Sequence, residues 1–234
     1  MQKNCTRLLG ALGGAAALVG AYAFVVRPWH LRWGLTDAEF TKTYPGDGLL
    51  PNVTGHVTRA VTVQATPEQI WPWLMQIGQD RSGFYSYTPL ENLFGCEMPR
   101  IERIVPEWPE RTVGEKVWFA TPRHFGGKAF MEVVIAEPHR AFVLAAGSDL
   151  AMRQLATWGF FLEPIGSNST RLIARLRAGQ APDAMAHILG YAFWEPAHFI
   201  MERKMLLKIK FLAEHGDTLR VSSPSAAEEQ QAHV

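Results

Sequence analysis

The stretch that decides the fold is Glu195 to His215, EPAHFIMERKMLLKIKFLAEH, the one long and strongly periodic helix pattern downstream of the apolar N-terminus. At about 100° per residue, Met201, Met205, Leu206, Ile209, Leu212 and Ala213 share one broad stripe, while Arg203, Lys210 and Glu214 gather on another side. One face of this helix is therefore predicted to be buried. Ile200, Leu207 and Phe211 form a second, narrower apolar ridge, which predicts cover from more than one direction. The same arithmetic puts Glu195, His198 and Glu202 on the inward stripe. Polar groups there need a reason, because a buried charge is costly unless it is paired.

Upstream of this helix the chain reads mostly as strands. Val57 to Gln64 alternates Val57, Val61 and Val63 with Thr58, Thr62 and Gln64. Further strands are predicted at Ile101–Val105, Lys116–Phe119, Lys128–Ala136, Ala141–Ala145, Gln154–Glu163 and Thr170–Arg177. Gly114, Gly126-Gly127, Glu137-Pro138 and Gly166-Ser167-Asn168 stand where antiparallel turns are needed. Arg171, Arg175 and Arg177 alternate with Leu172, Ala174 and Leu176, which predicts one wet and one buried face. Thr66-Pro67-Glu68-Gln69 and Thr88-Pro89-Leu90-Glu91 each offer a capping hydroxyl, a first-turn proline and an acceptor three residues on, so two short helices are expected, ending at Gly78 and Gly95. Pro72 predicts a kink in the first. Ala184 to Trp194 is a further short helix joined at Pro196 to the long one, which is expected to stop at Gly216.

Leu8 to Val26 contains no charged residue and is just long enough to cross a hydrocarbon core, which needs about 20 residues. It is read as a single-pass membrane anchor, with a signal peptide cut after Ala21-Tyr22-Ala23 as the alternative. Lys3 and Arg7 before it balance Arg27, Arg32 and Lys42 after it, so the side of the membrane stays open. Residues 27–55 read as a connecting segment with a capping box at Thr36-Asp37-Ala38-Glu39, 56–216 as the domain, and 217–234 as a polar, disordered tail. The net charge of +1 and scattered cations argue against a nucleic-acid partner. Cys5 and Cys96 propose no disulfide framework.

The order strand, two short helices, about six strands and one long helix predicts an α+β helix-grip fold, a curved antiparallel sheet of about seven strands wrapped around the C-terminal helix. The segments WPWLMQIGQDRSGFYSYTPLENLFG, RIVPEW, TWGFFLEP, TRLIARLR and EPAHFIMERKML resemble the bacterial SRPBCC superfamily of START-like domains, often labelled polyketide cyclase/dehydrase and lipid transport, over roughly Trp33 to Glu214. The resemblance implies a deep cavity between sheet and long helix and a hydrophobic small molecule as partner. It brings no catalytic residue set.

Candidate ligand contacts are Trp73, Tyr85, Tyr87, Glu91, Trp118, Trp158, Phe160, Glu195, His198, Glu202 and Met205. Each has a plain structural reading beside it: the aromatics as core, Asp80 and Arg81 as a solvated loop pair, Glu195 as a helix-start flank, His198 as a bonded core histidine, Glu202 as half of an ion pair. Glu195-x-x-His198 is a metal-site spacing, but no second such motif and no paired cysteines accompany it, so neither a metal nor a cofactor is expected. No G-x-S-x-G or phosphate-cradling glycine loop occurs. Three functions follow: a membrane-tethered carrier of a hydrophobic molecule (lipid, isoprenoid or polyketide-like), a cyclase or dehydratase using His198 or Glu202 as acid or base, or a ligand-free interaction module with a filled core and an exposed apolar patch. Oligomeric state is not legible.

Overall fold

A computed structural model describes residues 13–14, 17–50, 53, 55–146, 156–179 and 183–221. Its strands are β1 (Gly55–Val63), β2 (Lys116–Trp118), β3 (Phe130–Glu137), β4 (Ala141–Ala146), β5 (Ala156–Gly166) and β6 (Ser169–Ala178). They form one antiparallel sheet in the order β1-β6-β5-β4-β3-β2. The long helix, Glu195–Val221, lies on one face of it. The architecture is thus the expected α+β one, with six strands among the described residues rather than about seven. Ile101–Val105 is the segment that fails to pair. The Gln76 amide donates to the Arg103 carbonyl and accepts from the Val105 N–H (3.2 and 2.6 Å), so one side chain takes the place of a neighbouring strand.

Period-two alternation sorts the sheet into two faces. Val61, Val63, Val133, Phe142, Leu144, Trp158, Phe160, Leu162, Leu172 and Ala174 point to the helix, where Met205, Leu206, Ile209 and Leu212 meet them. Each of those helix side chains contributes about 1.5–3 kcal/mol by leaving water. The second ridge is covered only in part: Leu207 packs against the core, while Ile200 and Phe211 are exposed. The helix runs past Gly216 to Val221 because Gly216 keeps negative φ and packs beside Trp73, leaving only ordinary contact distance (3.5 Å) for a Cβ. Residues 222–234 of the expected tail lie outside the described residues.

The opposite face of the sheet is not wet. The segment from Arg32 to Leu50 straps it, burying Tyr44 against Phe161 (ring centroids 4.6 Å apart) in a second core with Ala60, Ala141, Val143 and Ile173. The arginines expected in solvent are the strap's fasteners. Arg171 binds Glu39 through two bonds (2.6 and 2.9 Å) and the Gly34 carbonyl. Arg175 binds Asp47, the Lys42 and Phe40 carbonyls and Thr58, with its guanidinium over the Tyr44 ring. The capping boxes at Thr36/Glu39 and Thr66/Gln69 form. The helix they start at Pro67 continues unbroken through Pro72 to Met75. The third proposed box does not form: Tyr87 precedes the helix Thr88–Leu93, and Glu91 turns inward.

The single-pass membrane placement is corrected. Residues 8–12, 15 and 16 of the expected span lie outside the described residues, and among those described no helix is long and apolar enough to cross a membrane. The end of that stretch is spent on the domain. A π-turn at Tyr22–Val26 leads into the helix Arg27–Leu31, and a matching π-turn at Gly190–Trp194 leads into Glu195. Both turns lie just ahead of a proline, Pro28 and Pro196, whose missing N–H disrupts the ordinary ladder. Tyr22 donates to the Tyr191 carbonyl (3.1 Å), and Arg27 grips Glu195 through two bonds (2.7 and 2.9 Å). Outward from this pair of segments stand Phe24 (83% exposed), Phe193 (67%) and Trp194 (61%), with Leu18, Val25, Trp29, Ile188 and Leu189.

Candidate functional site

The inward polar stripe of the long helix finds its partner on β1. Arg59 follows the phase of Val57, Val61 and Val63, so its side chain enters the core on the helix side. Register puts Ala174 of β6 directly beside it, and Phe160 and Phe142 continue the same row. The small Ala174 leaves room for a guanidinium. Arg59 donates through Nη1 to Glu202 Oε2 (2.6 Å) and through Nε to the His30 carbonyl (2.8 Å). Trp158 Nε1 donates to Glu202 Oε1 (2.7 Å). The Arg59 and Glu202 side chains are 0% and 1% exposed.

This geometry sets the protonation states. Burial opposes ionisation of Glu202, but His198, the Arg59 guanidinium and the Trp158 N–H hold its carboxyl below the usual range. His198 is pushed down by burial, against Glu202 and with Arg59 adding to the shift. Its Nδ1 lies 3.1 Å from Arg59 Nη1, a donor, so Nδ1 accepts and the proton sits on Nε2, 3.7 Å from Glu202 Oε1. With both carboxylate oxygens and the imidazole lone pair engaged, this is poor general acid–base equipment. It is a bonded buried ion pair, with one loose end: Arg59 Nη2 is buried and has no hydrogen-bond partner among the described residues.

The other candidates distribute themselves around that centre. Trp158 packs on Phe160 (4.8 Å), Phe84 and Phe119 (5.9 Å each), and Phe84 stacks on Phe119 (4.7 Å). Met205 is buried in the same core. Trp73 meets Tyr85 edge-on at 6.1 Å. Glu195 is not in the core; it serves the Arg27 contact at the helix start. Trp118 is turned to the other side of its strand from the buried Val117, against Phe130 and Lys116. Tyr87 is exposed, under Lys204.

Glu91 is buried without an ion pair among the described residues, its Oε2 lacks a partner, and burial raises its pKa. It also lifts the Cys96 thiol, after burial itself. Asp80 and Arg81 are not a pair: Asp80 binds Arg111, and Arg81 is buried against the Met75 and Pro109 carbonyls. Among the described residues no three His, Cys, Asp or Glu side chains gather as a metal site requires.

The loop that carries Phe84 and Tyr85 is held in an unusual shape. Gly78 and Gly83 pair with each other and have φ of +119° and +74°, and Tyr85 has φ of +55°, a strained value for a residue with a side chain. Ser86 ties the loop to the long helix through the Met201 carbonyl (3.3 Å). On its outer side a cleft of about 220 Å³ is lined by Ser82, Tyr85, Tyr87, Arg100, Lys204 and Lys208, among others.

Arg59 was the residue missed by sequence reading, although its place in the valine phase of β1 was the available signal. No family model and no curated protein matches the chain. Solved structures with a similar chain path include a conserved protein of unknown function from Enterococcus faecalis (16% identity, 76% of this chain and 79% of that one, TM-score 0.40). Others are a polyketide_cyc-like protein from Corynebacterium glutamicum (15%, 75% and 99%, 0.36) and the Aha1 dimer from Colwellia psychrerythraea (18%, 70% and 98%, 0.39). These are weak likenesses and assign this chain no activity.

Proposed function

We propose that this domain binds a hydrophobic, ring-bearing small molecule between sheet and long helix, with Phe84 standing in its place when no ligand is present. The observation that carries the reading is the Phe84 ring, seated against Phe119 and Trp158 by a loop strained at Tyr85. Strained backbone of this kind costs about 1–3 kcal/mol and recurs at ligand clamps. Moving Phe84 outward would open an aromatic slot one residue from the Trp158–Glu202 bond, and the spare Arg59 Nη2 would supply a donor to an oxygen on the ligand.

Native mass spectrometry of the full chain, purified without detergent and followed by solvent extraction, tests this. A stoichiometric apolar adduct, absent from folded Ala174→Trp, is the expected result. A folded wild-type chain that takes up no adduct from an organic extract of cells overturns it.

The interaction-module reading is favoured by a different observation, the exposed Phe24, Phe193 and Trp194 on neighbouring segments. It predicts association of the chain through this patch, read by sedimentation velocity and weakened by Phe193→Ser.

A further inference from the structure

The cleft outside the Phe84 loop has a chemistry of its own. Arg100, Lys204 and Lys208 line it with a single carboxylate, Glu102, which binds both Arg100 (2.9 Å) and Lys208 (2.6 Å). Burial opposes ionisation of Glu102, but these two cations keep its carboxyl below the usual range, so it is charged. Lys204 has no carboxylate partner among the described residues, and lies 6.0 Å from the Tyr87 ring. The lining therefore carries a surplus of two positive charges.

Two hydroxyls complete the lining. Ser82 (2% exposed) and Tyr85 (6%) border the cleft beside one another and Gln76, and among the described residues neither Ser82 Oγ nor Tyr85 Oη has a partner in good hydrogen-bond geometry. Burial pushes the Tyr85 hydroxyl up to about 12, so it remains a donor at neutral pH. A buried hydroxyl held in poor hydrogen-bond geometry is destabilising, and an acceptor in the cleft would relieve it.

We infer that this cleft binds a phosphoryl dianion, as the free ion or as the head of a small phosphomonoester. A phosphoryl group carries about −1.5 to −2 at pH 7 and three acceptor oxygens, matching the charge surplus and the two hydroxyl donors. A carboxylate monoanion would leave one positive charge uncompensated. The volume of about 220 Å³ equals about seven waters at about 30 Å³ each, enough for a phosphoryl group and a short carbon body. The inference rests on the cleft's own cations and hydroxyls and not on an interior ligand.

Isothermal titration of the full chain with inorganic phosphate at low ionic strength is the test. One-to-one saturable binding is expected, weakened about tenfold in Lys204→Gln and severalfold in Ser82→Ala, as loss of charged and neutral hydrogen bonds predicts. Lys204→Arg retains it, and Lys128→Gln, exposed elsewhere, leaves it unchanged. Phenyl phosphate binding more tightly than inorganic phosphate assigns the site to an ester, and the reverse order to the free ion; both support the inference. Absence of saturable binding at about 10 mM phosphate, well above a Kd of 1 mM (about −4.1 kcal/mol), overturns it. Equal weakening by Lys128→Gln does the same.

Discussion

Removing one partner from a buried ion pair is worse than never having built it, and Arg59–Glu202 presents that situation in the core. Glu202→Ala leaves the guanidinium buried and unpaired and is expected to cost about 3–5 kcal/mol in urea denaturation. Trp158→Phe, which deletes one donor and keeps the ring, should cost about 1–3 kcal/mol. The histidines give the site a pH dependence. Burial and then Arg59 push His30 down, and burial pushes His198 down, so the folded protein keeps both neutral. The unfolded chain takes up those protons as pH falls below about 6.5. Stability is therefore complete above that value and is lost as pH falls through the folded pKa values. Denaturation at about pH 5.5 should show a weaker fold than at about pH 7.5, and His30→Gln should flatten the difference. Glu91 has the opposite sign. Its raised pKa makes the folded state the better proton binder above about pH 4.5, so stability declines as pH rises through that window. Glu91→Gln should raise the thermal midpoint at about pH 8 and do little at about pH 4.

At the scale of elements, the strap and the N-terminal segment behave as parts of the domain. Trp33 accepts from the Ala60 N–H (3.1 Å), and the adjoining Gly34, at φ +77°, has no space: a Cβ there would lie 2.1 Å from the Ala60 carbonyl oxygen. Gly34→Ala must push the strap off β1, and a loss of about 2–4 kcal/mol in denaturant midpoint experiments is expected. The segment Arg27–Leu31 is needed for a different reason. Its His30 carbonyl is the acceptor for Arg59 Nε, so a chain lacking everything through Leu31 should lose about 1–3 kcal/mol, even though the Arg27–Glu195 pair on the rim is worth only about 0–1 kcal/mol. If that truncated chain unfolds at the same urea concentration as the full one, the account of the Arg59 centre is wrong. The two π-turns answer a local problem, since each lets a helix run into an X-Pro step and still present the next residue, Arg27 or Glu195, to its opposite number.

For the molecule as a whole, one sheet is covered on both faces, by the long helix on one side and by the strap on the other. The sequence by itself determined the class of fold. A 3.6-residue period from Glu195 onward and period-two alternation upstream are local signals, and they survive because burial of one face is what each element was built for. Two capping boxes, most strand positions, and the pairing of Glu202 with an arginine were legible for the same reason. What only tertiary structure decided is where groups from distant positions meet. An arginine that alternates with Leu and Ala looks solvated until a strap supplies Glu39 and Asp47, so Arg171 and Arg175 were read as wet. Strand Ile101–Val105 is lost to a glutamine side chain, and the apolar N-terminal run, read as a membrane span, ends in Tyr22 bonded to Tyr191 and leads into Arg27 bonded to Glu195, partners well over a hundred positions away. Local patterning reports how much of a segment is apolar. It does not report which surface covers it, because that depends on contacts between residues far apart in the chain.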